Sequence, residues 1–339
     1  TGTIVTCLVQ SSSATTVMIV SFVNAGIIKL RNAIGMIMGA NLGTTTTFWI
    51  VSYLGFKFSL SKIALPCIGI GVVMYYIRQN AKIRNMGETL IGFGLLFLGL
   101  SLLKDAVPDV KSNPEILEFI KDYTDFGFGS IILFFIGGIL LTIIVQSSSV
   151  AGAITLTLAY KGWFGFDIAA AIILGENIGT TVTANIAALG TNTEARRAAF
   201  AHFIFNVIGV LWILPVFGLF LAGVDALMPG DALDETALPM HMAAFHTLFN
   251  LANILLLIGF VPLIAKIVRY VIKDSSNEET EFRYLSSSAM PRIGEMNLME
   301  AEDGMAKLSN LGLEMFTGFK ELLKNPDEDL SEKVRKIKQ

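Results

Sequence analysis

Gln10-Ser11-Ser12-Ser13 returns as Gln146-Ser147-Ser148-Ser149, and Gly39-Ala40-Asn41-Leu42-Gly43-Thr44-Thr45 returns as Gly175-Glu176-Asn177-Ile178-Gly179-Thr180-Thr181. Both second copies lie 136 residues downstream, so the spacing inside each copy is the same. Between Gln10 and Thr47 the copies agree at 13 of 38 positions, while most of the apolar filler has drifted. Self-similarity of this kind marks an internally duplicated architecture, and in an apolar chain it points to a membrane transporter with two related halves.

The composition places the chain in a bilayer. It is 53% hydrophobic and only 16% charged, with a mean hydropathy of +0.64, whereas a soluble domain carries about 25% charged residues. Residues 1–28, 32–56, 63–77, 89–103, 126–160, 198–224 and 240–265 contain no Asp, Glu, Lys or Arg. Most of these stretches are long enough, or nearly so, to cross roughly 30 Å of hydrocarbon as helices. Residues 274–339 are densely charged by contrast. No basic cluster with interleaved aromatics suggests nucleic-acid binding. Cys7 and Cys67 lie in apolar segments without disulfide or metal spacing.

The expected fold is all-α. Residues 1–28 and 128–160 each rise apolar to a polar tip and run apolar again, which predicts two re-entrant helical hairpins. Residues 32–53 and 167–190 are each interrupted by Asn-x-Gly-Thr-Thr, which predicts transmembrane helices broken near mid-membrane, with Gly43 and Gly179 letting the backbone leave helical geometry. Further spans are expected at about 61–77, 88–103, 198–221 and 241–265. Lys29/Arg31, Arg78–Arg84, Arg196/Arg197 and Lys266–Lys273 go to the cytoplasm under the positive-inside rule, and the two acidic loops go outside. The hairpins then enter from opposite faces, so the repeats are inverted. The second copy has a lead-in span, whereas nine residues precede Gln10, so a leading helix is expected ahead of Thr1. The chain divides into a first repeat (1–77), a second repeat with an additional transmembrane helix (78–273) and a cytoplasmic helical region (274–339).

Three serines after a Gln, at the start of a half-helix, offer hydroxyl donors, free backbone N–H groups and the positive end of a helix dipole. Two such tips would surround a tetrahedral oxyanion with donors and no fixed cation. Asn and Thr oxygens supply hard ligands suited to Na⁺. Close helix packing also uses Ser, Gly and Thr, but two polar motifs duplicated at fixed spacing exceed what packing needs. Glu176 breaks the symmetry, its counterpart being Ala40. An ionisable residue at membrane depth is a functional candidate, here for ligating a cation, relaying a proton or pairing with His202 or His246. His202/Asn206 and His246/Asn250 share i, i+4 spacing and one helix face each. Interhelical hydrogen bonding accounts for them better than a direct role in transport.

With these residues in view, the chain resembles the bacterial branch of the type II Na⁺/phosphate cotransporter family. The resemblance rests on the paired QSSS, on GANLGTTTT and GENIGTTVT, and on EARRAAFAHFIFN (Glu194–Asn206), and it covers about residues 1–270. It implies Na⁺-driven symport of inorganic phosphate across the inner (cytoplasmic) membrane by a multi-pass protein, usually dimeric, without enzymatic activity or a cofactor beyond the coupling ion. Phosphate is then expected at Ser11, Ser12, Ser13, Asn41, Thr44, Ser147, Ser148, Ser149, Asn177 and Thr180. Sodium is expected at Gln10, Thr45, Thr47, Gln146, Glu176, Thr181 and Thr183, with no transition metal. The tail reads as amphipathic helices through Met290, Ile293, Met296, Met299, Leu308, Leu311, Met315, Phe319 and Leu322, and it resembles an incomplete PhoU-like domain. Symport of another oxyanion, or a phosphate-responsive receptor signalling through the tail, are the alternatives.

Overall fold

A computed structural model of the chain describes residues 1–57, 61–77, 80–109, 115, 118, 122–273 and scattered helical positions between 305 and 320. The chain separates into two compact units, Thr1–Asn24 with Ile28–Asp274, and Ala25–Ile27 with Ser275–Gln339. In the second unit Met305, Leu313 and Phe316 are helical and exposed. The stripe expected from Met290 to Leu322 lies outside the described residues.

The first unit is helical, with no strand among its described residues. Helix α1 (Gly2–Val9) ends at Gln10 and α2 (Ser12–Asn24) begins two residues later. Then come α3 (Leu30–Ile50), a π-helical stretch Val51–Lys57, α4 (Ser61–Tyr76) and α5 (Ala81–Ala106). The second copy repeats the opening pattern. Helix α6 (Phe128–Val145) ends at Gln146, α7 (Ser148–Tyr160) follows, and then α8 (Phe166–Ala187). Helices α9 (Thr193–Ile213) and α10 (Phe217–Leu227) are joined by a 3₁₀ turn containing Pro215; α11 (Leu238–Leu257) and α12 (Val261–Val271) are joined by another, Ile258–Phe260, just before Pro262. A proline lacks the N–H that an α-helical interior needs, so each span tightens there rather than running straight.

Among the described residues, four helical segments are long and apolar enough to cross a membrane: Ala81–Ala106, Phe128–Val145, Thr193–Leu227 and Leu238–Val271. The polar motifs sit on two other helices, α3 and α8, which take the interior. Every residue of α8 from Ile168 to Thr181 is buried. Around them, α1 and α2 pack on α3, while α6 and α7 pack on α8. The copies also interlock, since α2 touches α8, α7 touches α3, and both α9 and α11 touch both motif helices. Helices α4 and α5 pair with each other through small residues. A Cβ on Gly71 would lie 2.8 Å from the Gly87 carbonyl oxygen, and one on Gly94 would lie 2.6 Å from that of Ala64, the close approach that small residues permit in membranes.

One expectation is overturned. Neither motif helix is broken: α3 and α8 run without interruption through Asn41–Thr45 and Asn177–Thr181. The threonines turn their hydroxyls back onto their own helix. Thr44 donates to Ala40 O, Thr45 to Leu42 O, Thr180 to Glu176 O and Thr181 to Ile178 O. This satisfies each hydroxyl locally, so the polar run costs the helix little. Gly43 and Gly179 serve approach, not unwinding. A Cβ would come 2.6 Å from Thr6 Cβ at the first and 2.7 Å from Thr142 Cβ at the second. The same crossing thus recurs in both copies, α1 over α3 and α6 over α8.

Candidate functional site

The breaks fall at the serine tips instead. Gln10 and Gln146 are the only non-glycine residues with positive φ among those described, both at 57°. Each ends its helix in the left-handed conformation and turns its N–H back to a threonine carbonyl, Thr6 or Thr142, at 2.7 Å. A side chain in this region costs roughly 1–2 kcal/mol, and such residues persist where surrounding structure holds them, often at ligand clamps. The first serine of each trio then caps the next helix. Ser11 Oγ accepts from the Ala14 N–H at 3.2 Å, and Ser147 Oγ accepts from the Val150 N–H at 3.3 Å. Ser12, Ser13, Ser148 and Ser149 follow in the first turn. That turn carries N–H groups without helical acceptors and the positive end of the dipole.

The copies are not equally closed. Thr47 Oγ1 donates to Gln10 Oε1 at 2.8 Å, and Gln10 Nε2 donates to Cys7 O, so the first glutamine bridges α1 and α3. Ser12 beside it is buried. Gln146 is exposed, Ser148 is half-buried and Thr183 is half-buried.

The motif asparagines face α9 and α11. Asn41 Nδ2 donates to Asn206 Oδ1 at 2.7 Å, and Asn41 Oδ1 lies 2.8 Å from His202 Nε2. Because that oxygen can only accept, His202 carries its proton on Nε2, an assignment drawn from the bonding network. In the second copy His246 Nε2 lies 3.3 Å from Asn177 Oδ1, while Asn177 Nδ2 donates to Ile173 O on its own helix. The interhelical role expected for the His/Asn pairs is therefore the one these contacts display, and their partners are the motif asparagines. The sequence displays both groups without joining them. The signal was the duplication itself, two Asn motifs and two His-x-x-x-Asn segments in one chain.

Glu176 is 2% exposed, and its Oε1 accepts from Thr155 Oγ1 at 2.7 Å. Its Oε2 has no partner among the described residues, and it bonds neither His202 nor His246. The counterparts of Glu176 and Thr155 in the first copy are Ala40 and Ile19, so this polar pair belongs to one copy alone. A cavity of about 330 Å³ between α8 and α9 is lined by Thr181, Asn185, Phe200 and Phe203 with aliphatic neighbours. It is apolar and does not include the serines, so it lacks the donors that an oxyanion requires.

At the chain ends of these helices, Arg197 donates to Glu194 Oε1 and, through Nε and Nη2, to Ile272 O at 2.9 and 2.8 Å. This ties the start of α9 to the end of α12. Asn192 donates from its N–H and side-chain amide to Asn24 Oδ1 and O, tying α9 to α2.

Two duplicated tips on an apolar helical bundle, each aimed by a left-handed glutamine, define a polytopic membrane protein of the transporter class. The chain belongs to the Na⁺/Pi-cotransporter family, whose pattern it matches over residues 1–105 and 118–229. This is a family of transporters, not of enzymes, with Na⁺ as coupling ion. Over 288 residues the chain is 31% identical to Escherichia coli YjbB, a protein named for inorganic phosphate export, covering 84% of this chain and 50% of that one. It is 29% identical over 270 residues to Bacillus subtilis YqeW, covering 79% and 81% of the two chains. A segment of 85 residues, 23% of the chain, is 45% identical to 13% of rabbit sodium-dependent phosphate transport protein 2A. The chain spans about half the length of the YjbB proteins it matches. No solved structure matches it.

Proposed function

We propose that this chain carries inorganic phosphate across the cytoplasmic membrane together with Na⁺, by alternating access between two inverted repeats. In this reading the tips are re-entrant and enter from opposite faces, the 274–339 region is cytoplasmic, and the protein works as a homodimer. The observation that carries it is the matched pair of left-handed glutamines, each presenting a serine-rich first turn of a half-helix.

Phosphate is held by Ser11, Ser12, Ser13, Ser147, Ser148 and Ser149. Their hydroxyls and N–H groups stabilise the oxyanion through charge-assisted hydrogen bonds. Asn41, Thr44, Asn177 and Thr180 complete that set. Asn41 and Thr44 already spend their polar groups on neighbours in the present arrangement, so they act on the anion after rearrangement or through the tips. Gln10, Thr45, Thr47, Gln146, Thr181, Thr183 and Glu176 are the oxygen donors for Na⁺. Thr45 and Thr181 offer the lone pairs left after their hydroxyl protons are given to the helix, a hard-ligand geometry that Na⁺ accepts. Cation binding orders the tips and raises phosphate affinity, and by linkage phosphate raises Na⁺ affinity by the same factor.

Such coupling does not fix direction, because the two gradients do. The naming of YjbB for export favours outward flow as a second reading on the same machinery. Uptake of labelled phosphate into proteoliposomes under imposed Na⁺ gradients of either sign tests both. Transport indifferent to Na⁺ removes the coupling, sulfate carried as well as phosphate removes the selectivity, and binding without flux favours a receptor.

A further inference from the structure

The two copies hold several of the same polar groups in different states of bonding. At the helix crossing the second copy is the better satisfied, since Thr142 donates to Gly138 O whereas Thr6 Oγ1 is buried without a partner among the described residues; at the asparagines and glutamines the difference runs the other way. In the first copy Asn41 Nδ2 reaches Asn206 Oδ1, His202 stands at 2.8 Å, and Gln10 Oε1 holds Thr47. In the second copy the counterparts of these three contacts are loosened. Asn177 Nδ2 is parked on Ile173 O, and Asn250 Oδ1 is buried without a partner. His246 stands at 3.3 Å, and Gln146 is exposed. The backbone does not account for this, since both glutamines share φ 57° and both Asn206 and Asn250 donate Nδ2 to the histidine carbonyl four residues back. Asn250 Oδ1, left without a partner, is the counterpart of the Asn206 Oδ1 that accepts from Asn41 in the first cluster.

We propose that His202–Asn206 and His246–Asn250 are positioning residues that act in turn, the first pair clasping Asn41 and the second Asn177, each in one half of the transport cycle and releasing it in the other. The structure then represents the state clasped at Asn41 and released at Asn177. This rests on the alternating-access reading above. The exchange makes one Asn–Asn bond for each one broken, so its two ends lie close in free energy, as a reversible switch between two discrete packings requires. It also links the clasp to the tip. Asn41 and Thr47 lie on one helix, and the copy whose asparagine is clasped is the copy whose glutamine is latched and whose Ser12 is buried.

Hydrogen exchange on the purified full chain in nanodiscs tests this at the two tips, peptides 7–14 and 143–150. Asn206→Ala breaks a bond present in this state, so exchange should rise at the first tip and fall at the second, by roughly fivefold each. Asn250→Ala weakens only the opposite state, so the shifts should reverse. Both variants moving the two tips in the same direction, or leaving them unmoved, would overturn the proposal and leave the pairs as packing. If Asn206→Ala does not fold, Asn206→Thr keeps an acceptor oxygen and should lie between it and the wild type; a larger shift than that of Asn250→Ala in the same direction overturns it equally. In the wild type, Na⁺ with phosphate should move the tips oppositely, and movement together would count against the exchange. Wild-type tips indifferent to Na⁺ and phosphate, with opposed shifts in the variants, would keep the exchange and remove phosphate as the cargo.

Discussion

The two copies of the motif differ least in what they contain and most in what their polar groups touch. Both have the left-handed glutamine, the capping serine, and a glycine beneath a threonine at the helix crossing. Only the first has a latched glutamine and a closed Asn–Asn contact, and only the second has a buried carboxyl. A shared scaffold with unequal bonding is what two related halves need in order to occupy different ends of one transition. The duplication supplies the shared scaffold, and the bonding distinguishes its two copies.

The sharpest way to break this comparison is at the serines. If both tips hold the anion, Ser12→Ala and Ser148→Ala should each weaken phosphate by about 10- to 100-fold, the loss of a hydrogen bond to a charged group being about 1.5–3 kcal/mol. Isothermal titration in detergent would measure it, and normal affinity in either variant would reduce the site to one copy. The scaffold should fail symmetrically. Gly43→Ala and Gly179→Ala both press a Cβ against a threonine, and overpacking of that kind costs about 1–3 kcal/mol; a thermal-stability loss in one variant alone would mean that the crossings are not equivalent.

Asymmetry should surface at Glu176. Glu176→Gln keeps an oxygen for the Thr155 hydroxyl but can no longer supply a carboxylate to a cation, so Na⁺ half-saturation should rise by about tenfold, equivalent to about 1.4 kcal/mol. Folding should be nearly unchanged. An unaltered Na⁺ titration would exclude Glu176 from the cation set. The smallest effect concerns the glutamines. Gln146→Gly removes a strained left-handed side chain that bonds nothing described, and should stabilise by about 1 kcal/mol. Gln10→Gly forfeits the Thr47 bond, worth about 0.5–1.5 kcal/mol, and should come out near neutral. Equal melting shifts would show that the latch contributes nothing.

Much of the fold was legible because lipid punishes charge. The stretch without charge at 126–160 became α6 and α7, with the break at Gln146 where the polar island predicted one. The interruption expected at Asn41–Thr45 failed for a local reason. A run of threonines looks like a helix breaker in composition, but each hydroxyl can repay the backbone three or four residues behind it, as Thr44 and Thr45 do. The serines and glutamines stood out as a candidate site from the duplication. Their conformations were not, since nothing in the residue type of Gln10 announces a left-handed φ. The pairing of Asn41 with His202 and Asn206 was hidden for another reason: 161 and 165 residues separate the partners, and only the fold brings them together.

That separation bears on how the molecule is made. Helix α3 is not among the four described segments apolar enough to cross a membrane by composition, and it carries the asparagine and threonines of the candidate site. When it leaves the ribosome its asparagine has no partner, and the residues that will bond it lie on α9. At roughly 5–20 residues per second, the 165 residues between Asn41 and Asn206 take on the order of ten to thirty seconds to synthesise. Through that interval the most polar helix of the first copy must be sheltered by α1 and α2, by water at the bilayer surface, or by an insertion chaperone. The asparagine that marks the candidate site is thus one whose side-chain partner is supplied only by the later half of the chain.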